Sequence, residues 1–421
     1  MDKPKEFCDD YFRKHMPAEH KQTTIWTEKE KKDVKEIVTE WNVYPKENTK
    51  VDFSQYIDKS SKFSKFTDSL PQLQPVSKLI KTDSHYDLFV GAMGYEERTT
   101  NAAEALLNMG VHIDRIVLLE FDRYYDATEK RRSTYEDIIS KLTSGKTYRP
   151  MNAPISAQDP DFAERMKGLL STLTRSVIPR IIFDCTSCPS VILAQTIKVL
   201  LDYKCDLTIL YSEAVEYFPT RSEWESGKVK SHSAGRVQGP FAGVRFVAKP
   251  PILQSDDNGE FTVLLVLFPT FNTERTDGIL AEVDPASRIW FFGEPHDLKN
   301  NLYRIDMAKE FASPIMYDGD PWSLLTTFDY RQTIRVLGGI YTKYRLKNRI
   351  VIMPHGSKMQ TLGTSLFATV HQVSMVFAMP KNYDPIRYSK GCTGVLGLSL
   401  GKTDDFVGEF RRSRVVTSLM P

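Results

Sequence analysis

The chain has 421 residues, 41% apolar and 26% charged, with 56 Lys and Arg against 54 Asp and Glu. This length is typical of two or three domains, and a net charge of +2 argues against a protein that mainly coats nucleic acid. The sequence lacks a bilayer-spanning apolar run, an apolar signal core and enough clustered cysteines for a disulfide framework. We therefore expect a cytoplasmic globular protein without a membrane segment.

The first 82 residues differ from the rest of the chain. They are rich in Lys and Glu, and apolar residues fall on one face of a predicted helix from about Thr27 to Trp41. The polar stretch that follows lacks sustained periodicity. We interpret residues 1–82 as a small helical and linker segment.

From Tyr86 onward, apolar strand-length runs alternate with helical patterns. The predicted strands are 86–94, 114–121, 180–184 and 206–212, and helices follow near 101–108, 126–142, 161–173 and 190–201. Such alternation indicates a parallel sheet with helical crossovers. Residues 214–251 mix aromatic residues, charges and a Gly-Pro pair, and are predicted to be irregular or β-rich.

The second half of the chain repeats the first. Residues 261–283 resemble 86–107 and share the tripeptide Glu-Arg-Thr, and the later segments match in the same order: 287–295 with 114–123, 349–370 with 180–201, and 374–380 with 206–212. The predicted fold class is therefore α/β, with two tandem Rossmann-like parallel-sheet units. The predicted domains are the N-terminal segment 1–82, a first unit 83–255 and a second unit 256–421.

Open parallel sheets bind ligands beyond the carboxyl ends of their strands. In each unit the loops after the first and fourth strands reach this edge, and each lies before a helix N-terminus that attracts anions. Arg98, Arg275 and Lys358 would add positive charge there. The candidate ligand-binding residues are Gly94, Glu97, Arg98, Asp184, Thr186, Ser187, Glu274, Arg275, Gly356, Ser357 and Lys358. They favour a nucleotide-sized, phosphate-bearing ligand.

Motifs for other chemistry are weak or absent. Cys185 and Cys188 have CxxC spacing, which suits a redox pair or half of a zinc site, but small buried side chains are favoured because no second CxxC or well-spaced His accompanies them. His355 alone in a loop is interpreted as structural. No HxH, HExxH, GxSxG or GxxxxGK[ST] motif occurs, so no metal site and no cofactor are predicted.

The segments DCTSCPS (184–190) and MPHGSKMQ (353–360) follow strands and enter helices. In this respect the chain resembles the CRISPR-associated Rossmann-fold (CARF) sensors and their tandem relatives, the SAVED domains. The resemblance implies a cyclic oligonucleotide ligand, a role in prokaryotic antiviral defence, and ligand contacts from eight of the candidate residues: Gly94, Arg98, Thr186, Ser187, Arg275, Gly356, Ser357 and Lys358. Because no effector domain is evident, it also implies a separate effector protein. The tail 383–401 is expected to add a strand.

Three classes of function stay open. A nucleotide-binding sensor or regulatory subunit is favoured. The second class is a hydrolase, either a phosphodiesterase or an enzyme that cleaves a glycosidic bond, with Glu97, Asp184 or Glu274 as acid, base or nucleophile. These acids belong to framework motifs of the repeat, which counts against catalysis. A non-catalytic scaffold is the third. Arg98 and Arg275 are expected to be exposed loop residues that contribute little to stability.

Overall fold

Two sheets organise the chain in its computed structural model. The structure describes residues 50–56, 59, 61–120, 125–143, 148–152, 161–173, 178–227, 241–255, 261–297, 301–384 and 387–413. Contacts divide the chain into Met1–Glu47 and Asn48–Pro421, and all described residues belong to the second unit. The helix predicted from Thr27 to Trp41 lies outside them. No helix among the described residues is long and apolar enough to cross a membrane.

The first sheet has seven strands within the described residues. In sheet order they are β1 (Gln74–Pro75), β16 (Gly394–Lys402), β6 (Asp206–Glu213), β5 (Arg180–Asp184), β2 (His85–Ala92), β3 (His112–Glu120) and β4 (Tyr148–Asn152). Strands β2 to β6 are parallel to one another, whereas β1 and β16 pair antiparallel. Numbered along the chain, the parallel strands have the order 3-2-1-4-5.

The second sheet repeats this order. Its strands are β11 (Trp322–Thr326), β10 (Ser287–Glu294), β9 (Thr262–Phe268), β12 (Asn348–Pro354) and β13 (Ser374–Met375), all parallel to their neighbours. Strand order reverses beside the first strand of each sheet, as in Rossmann-like folds. The predicted α/β class with two Rossmann-like units is confirmed.

The helices complete the two units. They are α1 (Lys62–Ser69), α2 (Val76–Leu79), α3 (Asn101–Asn108), α4 (Tyr125–Leu142), α5 (Asp161–Ser171), α6 (Ser190–Asp202), α7 (Arg221–Glu225), α8 (Thr273–Val283), α9 (Tyr303–Ala312), α10 (Tyr330–Tyr344), α11 (Lys358–His371) and α12 (Thr403–Arg412). Two small ribbons pair β7 (Glu216–Tyr217) with β15 (Ser389–Lys390), and β8 (Phe241–Ala248) with β14 (Phe377–Tyr383). Among the elements that were not predicted from the sequence are β4, β11, α9 and α10.

Alternation along the strands divides the apolar residues between two faces. In β9, Leu264 and Val266 belong to the largest core cluster, whereas Leu265 and Leu267 belong to a second cluster on the opposite face. The largest cluster contains the inner faces of both sheets together with side chains of α6 and α11. The two units therefore share one continuous core.

The contact between α6 and α11 joins the units directly. At the start of both helices, the hydroxyl oxygens of Ser190 and Thr361 lie 3.3 Å apart and form a hydrogen bond. On the other side of α11, Gly363 lies so close to α10 that an added Cβ would be 2.5 Å from the carbonyl oxygen of Tyr330. Helices α10 and α11 are therefore packed with their backbones close together at Gly363.

The C-terminal strand does not stay with the second unit. β16 pairs with β6 and extends the first sheet, and α12 packs against α6 and α1. The tail predicted from 383 to 401 does add a strand, but that strand belongs to the first sheet. The domain boundary at residue 255 remains a prediction from the sequence.

We predict that Gly363→Ala destabilises the protein by about 1–3 kcal/mol, because its methyl group would overlap backbone that cannot move independently. Gly168→Ala in α5 is the matched control, since no atom of the described residues lies within 4 Å of its added Cβ. Better helix propensity should make that variant more stable by up to about 1 kcal/mol. Urea unfolding measures both, and equal stability of the two variants would contradict the close packing of α10 and α11.

Candidate nucleotide-binding site

A cavity of about 450 Å³ lies between the two units. In the first unit, residues at or just after the ends of β2, β5 and β6 line it, including Gly94, Ser187 and Glu213. In the second unit, residues that follow β9, β10, β11 and β12 do so, including Asn272 and Lys358. The carboxyl ends of both sheets therefore border one cavity, where parallel α/β sheets bind ligands.

Three helices begin at this cavity, and their N-termini are capped differently. The side chain of Asn272 caps α8 by accepting a hydrogen bond from the amide of Arg275 at 3.1 Å. Ser357 and Gln360 form a reciprocal capping box on α11. Helix α6 follows Pro189 and has no side-chain cap. Among the residues that the structure describes, its first amide groups therefore have no intrahelical or side-chain partner, which is the usual arrangement at an anion site.

Arg98 is buried in an ion-pair network. Its guanidinium contacts the carboxylate of Glu96 at 2.8 Å, donates to the carbonyl oxygen of Ser212 at 2.7 Å, and donates to the hydroxyl of Tyr217 at 3.0 Å. Ser389 donates to the same carboxylate from β15. Burial is the largest influence and disfavours the charged guanidinium, but Glu96 and the neighbouring tyrosines together outweigh it, and the pKa of Arg98 is raised. The expectation that Arg98 is an exposed loop residue is wrong, because 1% of its side chain is accessible.

Arg275 occupies a comparable place in the second unit. Its Nε and Nη2 donate to the carbonyl oxygen of Ala378 at 3.0 and 2.9 Å. Burial lowers its pKa to about 10, and Tyr388 opposes this shift. Arg275 is therefore partly buried rather than an exposed loop residue. Both arginines of the repeated Glu-Arg-Thr motif fasten the loop after the first strand to backbone near the fifth strand.

Glu97 and Glu274, the acids of this motif, do not line the cavity. Glu97 is exposed and accepts a hydrogen bond from the amide of Gly391 at 2.8 Å. Glu274 is partly buried and accepts one from the amide of Gly243. Each carboxylate holds a neighbouring segment of backbone, and the structure does not bring the two together at the cavity.

Asp184 and Thr186 also lie behind the cavity wall. Both are buried, and the carboxylate of Asp184 accepts hydrogen bonds from the amide (3.0 Å) and hydroxyl of Thr186. The Thr186 oxygen in turn accepts from the amide of Ser212 at 2.8 Å, which joins the turn to β6. Burial raises the pKa of Asp184 to about 6, although these hydrogen bonds act to lower it.

Gly94 and Ser187 line the cavity and touch each other. A Cβ on Gly94 would lie 2.4 Å from that of Ser187, so only glycine allows this approach. The hydroxyl of Ser187 is hydrogen-bonded to that of Thr99 at 2.7 Å. The loops after β2 and β5 are thereby held together, as the sequence analysis expected from their shared edge.

Gly356, Ser357 and Lys358 line the opposite wall. An added Cβ on Gly356 would meet the amide oxygen of Gln360 at 2.0 Å, and that oxygen is part of the α11 cap. Ser357 donates to the carbonyl oxygen of Thr327 at 2.5 Å. Lys358 forms no hydrogen bond or ion pair that the structure identifies among the described residues. Its charge favours the thiolate forms of Cys185 and Cys188, and Lys358 lines the same cavity as Pro189 and Ser190 at the start of α6.

Cys185 and Cys188 are fully buried free thiols. Burial is the main cause of their raised pKa values, which reach about 12 for Cys185. Thiols of this kind are unreactive. Their burial agrees with the interpretation of both residues as small core side chains.

His355 lines the cavity, although its sequence context was interpreted as that of a structural residue. It is 3% exposed, and burial, assisted by Arg275, lowers its pKa well below the usual value, so the ring is neutral. Nε2 accepts a hydrogen bond from the amide of Ala378 at 3.0 Å, which places the ring proton on Nδ1. Nδ1 is itself buried and has no hydrogen-bond partner among the described residues. A residue that lines the cavity thus keeps one unused donor.

Further lining residues were not identified from the sequence. Aromatic side chains contribute much of the wall: Tyr95, Tyr211, Tyr217, Phe218, Phe271, Phe328, Phe377 and Tyr388. Arg304 on α9 lies 4.7 Å from the ring centre of Phe271 and donates to backbone oxygens of Tyr217 and Pro219. Periodicity does not mark these residues as binding residues, because they lie in loops, on the strands β6, β7 and β14, and on α9, which was not predicted from the sequence.

Comparisons with known proteins give limited similarity. No family model and no curated protein matches the chain. Among solved structures, it is similar to a Type III CRISPR defence DNA nuclease activated by cyclic oligoadenylate, with 9% identity, a TM-score of 0.39, and coverage of 66% of this chain and 63% of that one. It is also similar to the cytoplasmic domain of a prokaryotic cation chloride cotransporter, with 9% identity, a TM-score of 0.21, and coverage of 73% and 99%.

The chain therefore spans less than two thirds of the nuclease. The similarity to the nuclease supports a loose resemblance, and both TM-scores are too low to carry an argument about function. What the cavity does must be argued from its own residues.

We predict that Arg98→Ala destabilises the protein by about 3–5 kcal/mol, because it leaves the buried carboxylate of Glu96 without its counter-ion. The control is Arg221→Ala, which removes an exposed ion pair with Glu225 and should change stability little. Urea unfolding compares the two. Similar midpoints for both variants would show that the Arg98 network is not structural.

We predict that Asp184 makes the protein less stable as pH rises from 4 to 7. The native carboxyl titrates near pH 6 but the unfolded one near about 3.9, so the native state holds the extra proton in this interval. Stability relative to Asp184→Asn should fall across it by on the order of 3 kcal/mol and then level off. A pH-independent difference for Asp184→Asn would refute the raised pKa.

Proposed function

We propose that the chain is a nucleotide sensor that binds a phosphate-bearing ligand in the cavity between its two units. The observation that carries the proposal is the uncapped N-terminus of α6 beside Lys358. Free amide groups and a partial positive charge come from the first unit, and an ammonium group comes from the second. An anionic group placed there would contact both units at once.

Other features of the cavity favour a nucleotide over a simple anion. Its volume of about 450 Å³ is within the range of roughly 300–1,000 Å³ that small-molecule sites occupy. Rings such as Phe271 and Phe328 provide surfaces on which a base can stack. The Nδ1 donor of His355 would gain a partner from an oxygen or ring nitrogen of the ligand. Phosphate, base and hydrogen-bond acceptor would each have a complementary group.

A sensor is favoured over a hydrolase. Glu97, Asp184 and Glu274 are all engaged with backbone or with Thr186, and none lines the cavity. A ligand held by both units would instead stabilise one arrangement of them, which a separate effector protein could recognise. The sequence resemblance to CARF and SAVED sensors extends the proposal to a cyclic oligonucleotide ligand and to regulation in prokaryotic antiviral defence.

The proposal is tested by thermal unfolding of the full chain with mono-, di- and cyclic oligonucleotides. A ligand at 100 times its Kd adds about 2.7 kcal/mol of stability, which shifts the midpoint measurably. We predict that Lys358→Ala lowers the affinity of the stabilising nucleotide about tenfold, because a charge-assisted contact to phosphate is lost. Lys347→Ala, at an exposed lysine outside the cavity lining, is the control and should bind normally.

Two further outcomes separate the alternatives. Mass spectrometry after incubation should recover the ligand intact, whereas consumption of the ligand would favour the hydrolase. No stabilisation by any nucleotide would overturn the proposal and favour the scaffold. If Lys358→Ala and wild type bound the nucleotide with equal affinity, its phosphate would not be in contact with Lys358.

A further inference from the structure

A group of three metal-binding residue types lies at the edge of the first sheet opposite the cavity. His85 is the first residue of β2, and His112 is the first residue of β3. Asp114 follows two positions later on β3. Since the strands are parallel and the cavity lies at their carboxyl ends, the three residues mark the amino-terminal edge.

The strand register brings these side chains to one face. His85 and His112 are register partners across β2 and β3, and their rings stack with centres 5.6 Å apart and planes 22° from parallel. Asp114 has the same side-chain direction as His112, because directions alternate along a strand. Nε2 of His85 is 2.9 Å and Nε2 of His112 is 3.8 Å from the same oxygen, Oδ1 of Asp114. In both histidines it is therefore the Nε2 atom that faces the carboxylate of Asp114.

We propose that His85, His112 and Asp114 bind a divalent transition-metal ion of the Zn²⁺ type. One potential ligand atom from each residue lies within 4.8 Å of the other two. In a tetrahedral zinc site the bond lengths of about 2.0–2.1 Å place neighbouring ligand atoms ~3.3–3.5 Å apart. The two observed distances of 2.9 and 3.8 Å lie on either side of this spacing, and the two histidine nitrogens lie within 4.8 Å of each other.

The ligand set selects the class of metal. Two imidazole nitrogens and one carboxylate oxygen suit Zn²⁺, Co²⁺ and Ni²⁺, whereas Mg²⁺ and Ca²⁺ prefer oxygen ligands. The side chains are 41–52% exposed, so water can complete the coordination shell. With two strands contributing ligands, the ion would hold the start of β2 to the start of β3.

The backbone at this edge is already fixed. The amide of His112 donates to the carbonyl oxygen of Ser84 at 2.9 Å, and Nη1 of Arg180 donates to that of His85 at 2.7 Å. Binding therefore requires side-chain movement and little ordering of the chain. The proposal does not depend on the nucleotide site, since it involves different residues at the opposite edge.

Co²⁺ titration of the metal-free full chain tests the proposal, with visible absorption and calorimetry as readouts. We expect one Co²⁺ ion bound per chain at this site, competition by Zn²⁺, and a higher melting temperature with Zn²⁺ than without it. His85→Ala, His112→Ala and the near-isosteric Asp114→Asn should each weaken binding at least about tenfold, since each removes a ligand.

The control variant is His296→Ala. His296 is similarly exposed and contacts a single carboxylate, that of Glu213 at 3.3 Å, so its removal should leave Co²⁺ binding unchanged. Circular dichroism shows whether each variant is folded. If an alanine variant is unfolded, the near-isosteric Asp114→Asn still tests the proposal, because it retains the local shape. Absence of binding by wild type would overturn the proposal. A Co²⁺ affinity of the three ligand variants equal to that of wild type would also overturn it.

Discussion

The packing of α6 against α11 is the constraint on which the rest of the structure depends. Each helix covers the inner face of its own sheet, and their contact merges the two apolar layers into one core. Because both helices start at the carboxyl edge of their sheets, their contact also brings those two edges to a common cavity. Lys358 and the uncapped start of α6 line the same cavity only through this packing. The same contact thus stabilises the fold and forms the candidate site.

The repeated Glu-Arg-Thr motif shows how a framework residue can resemble a binding residue. An arginine after the first strand of a Rossmann-like unit is close to both the ligand edge and the end of the fifth strand. Here Arg98 and Arg275 make hydrogen bonds to carbonyl oxygens of Ser212 and Ala378. A guanidinium that is largely shielded from water needs hydrogen-bond acceptors for its N–H groups. Backbone carbonyl oxygens are the acceptors close enough to provide them. Recurrence of the motif therefore reflects the same tether in both units.

The two units are related but not equivalent at the cavity. The turn before α6 ends in Pro189 and leaves the helix uncapped, whereas Ser357 caps α11 through Gln360. The second unit contributes the neutral ring of His355, and the first contributes the Glu96–Arg98 ion pair. A ligand would therefore meet different chemistry on its two sides: amide groups and tyrosines on one, and an ammonium group and an imidazole donor on the other. This asymmetry favours a ligand that has distinct functional groups.

The sequence by itself determined the fold class and the edge at which the cavity lies. Strand-length apolar runs, the helices between them and their repetition are local patterns, and the parallel arrangement they require places the loops with Gly94, Ser187 and Lys358 at one edge. Only the tertiary structure decided which side chains are engaged in hydrogen bonds and ion pairs within the protein. Arg98 meets Ser212 and Tyr217 more than a hundred residues away, β16 returns to the first sheet, and His85 meets His112 through strand register. Such partners are chosen by packing across the chain, and no local pattern encodes the distance between them.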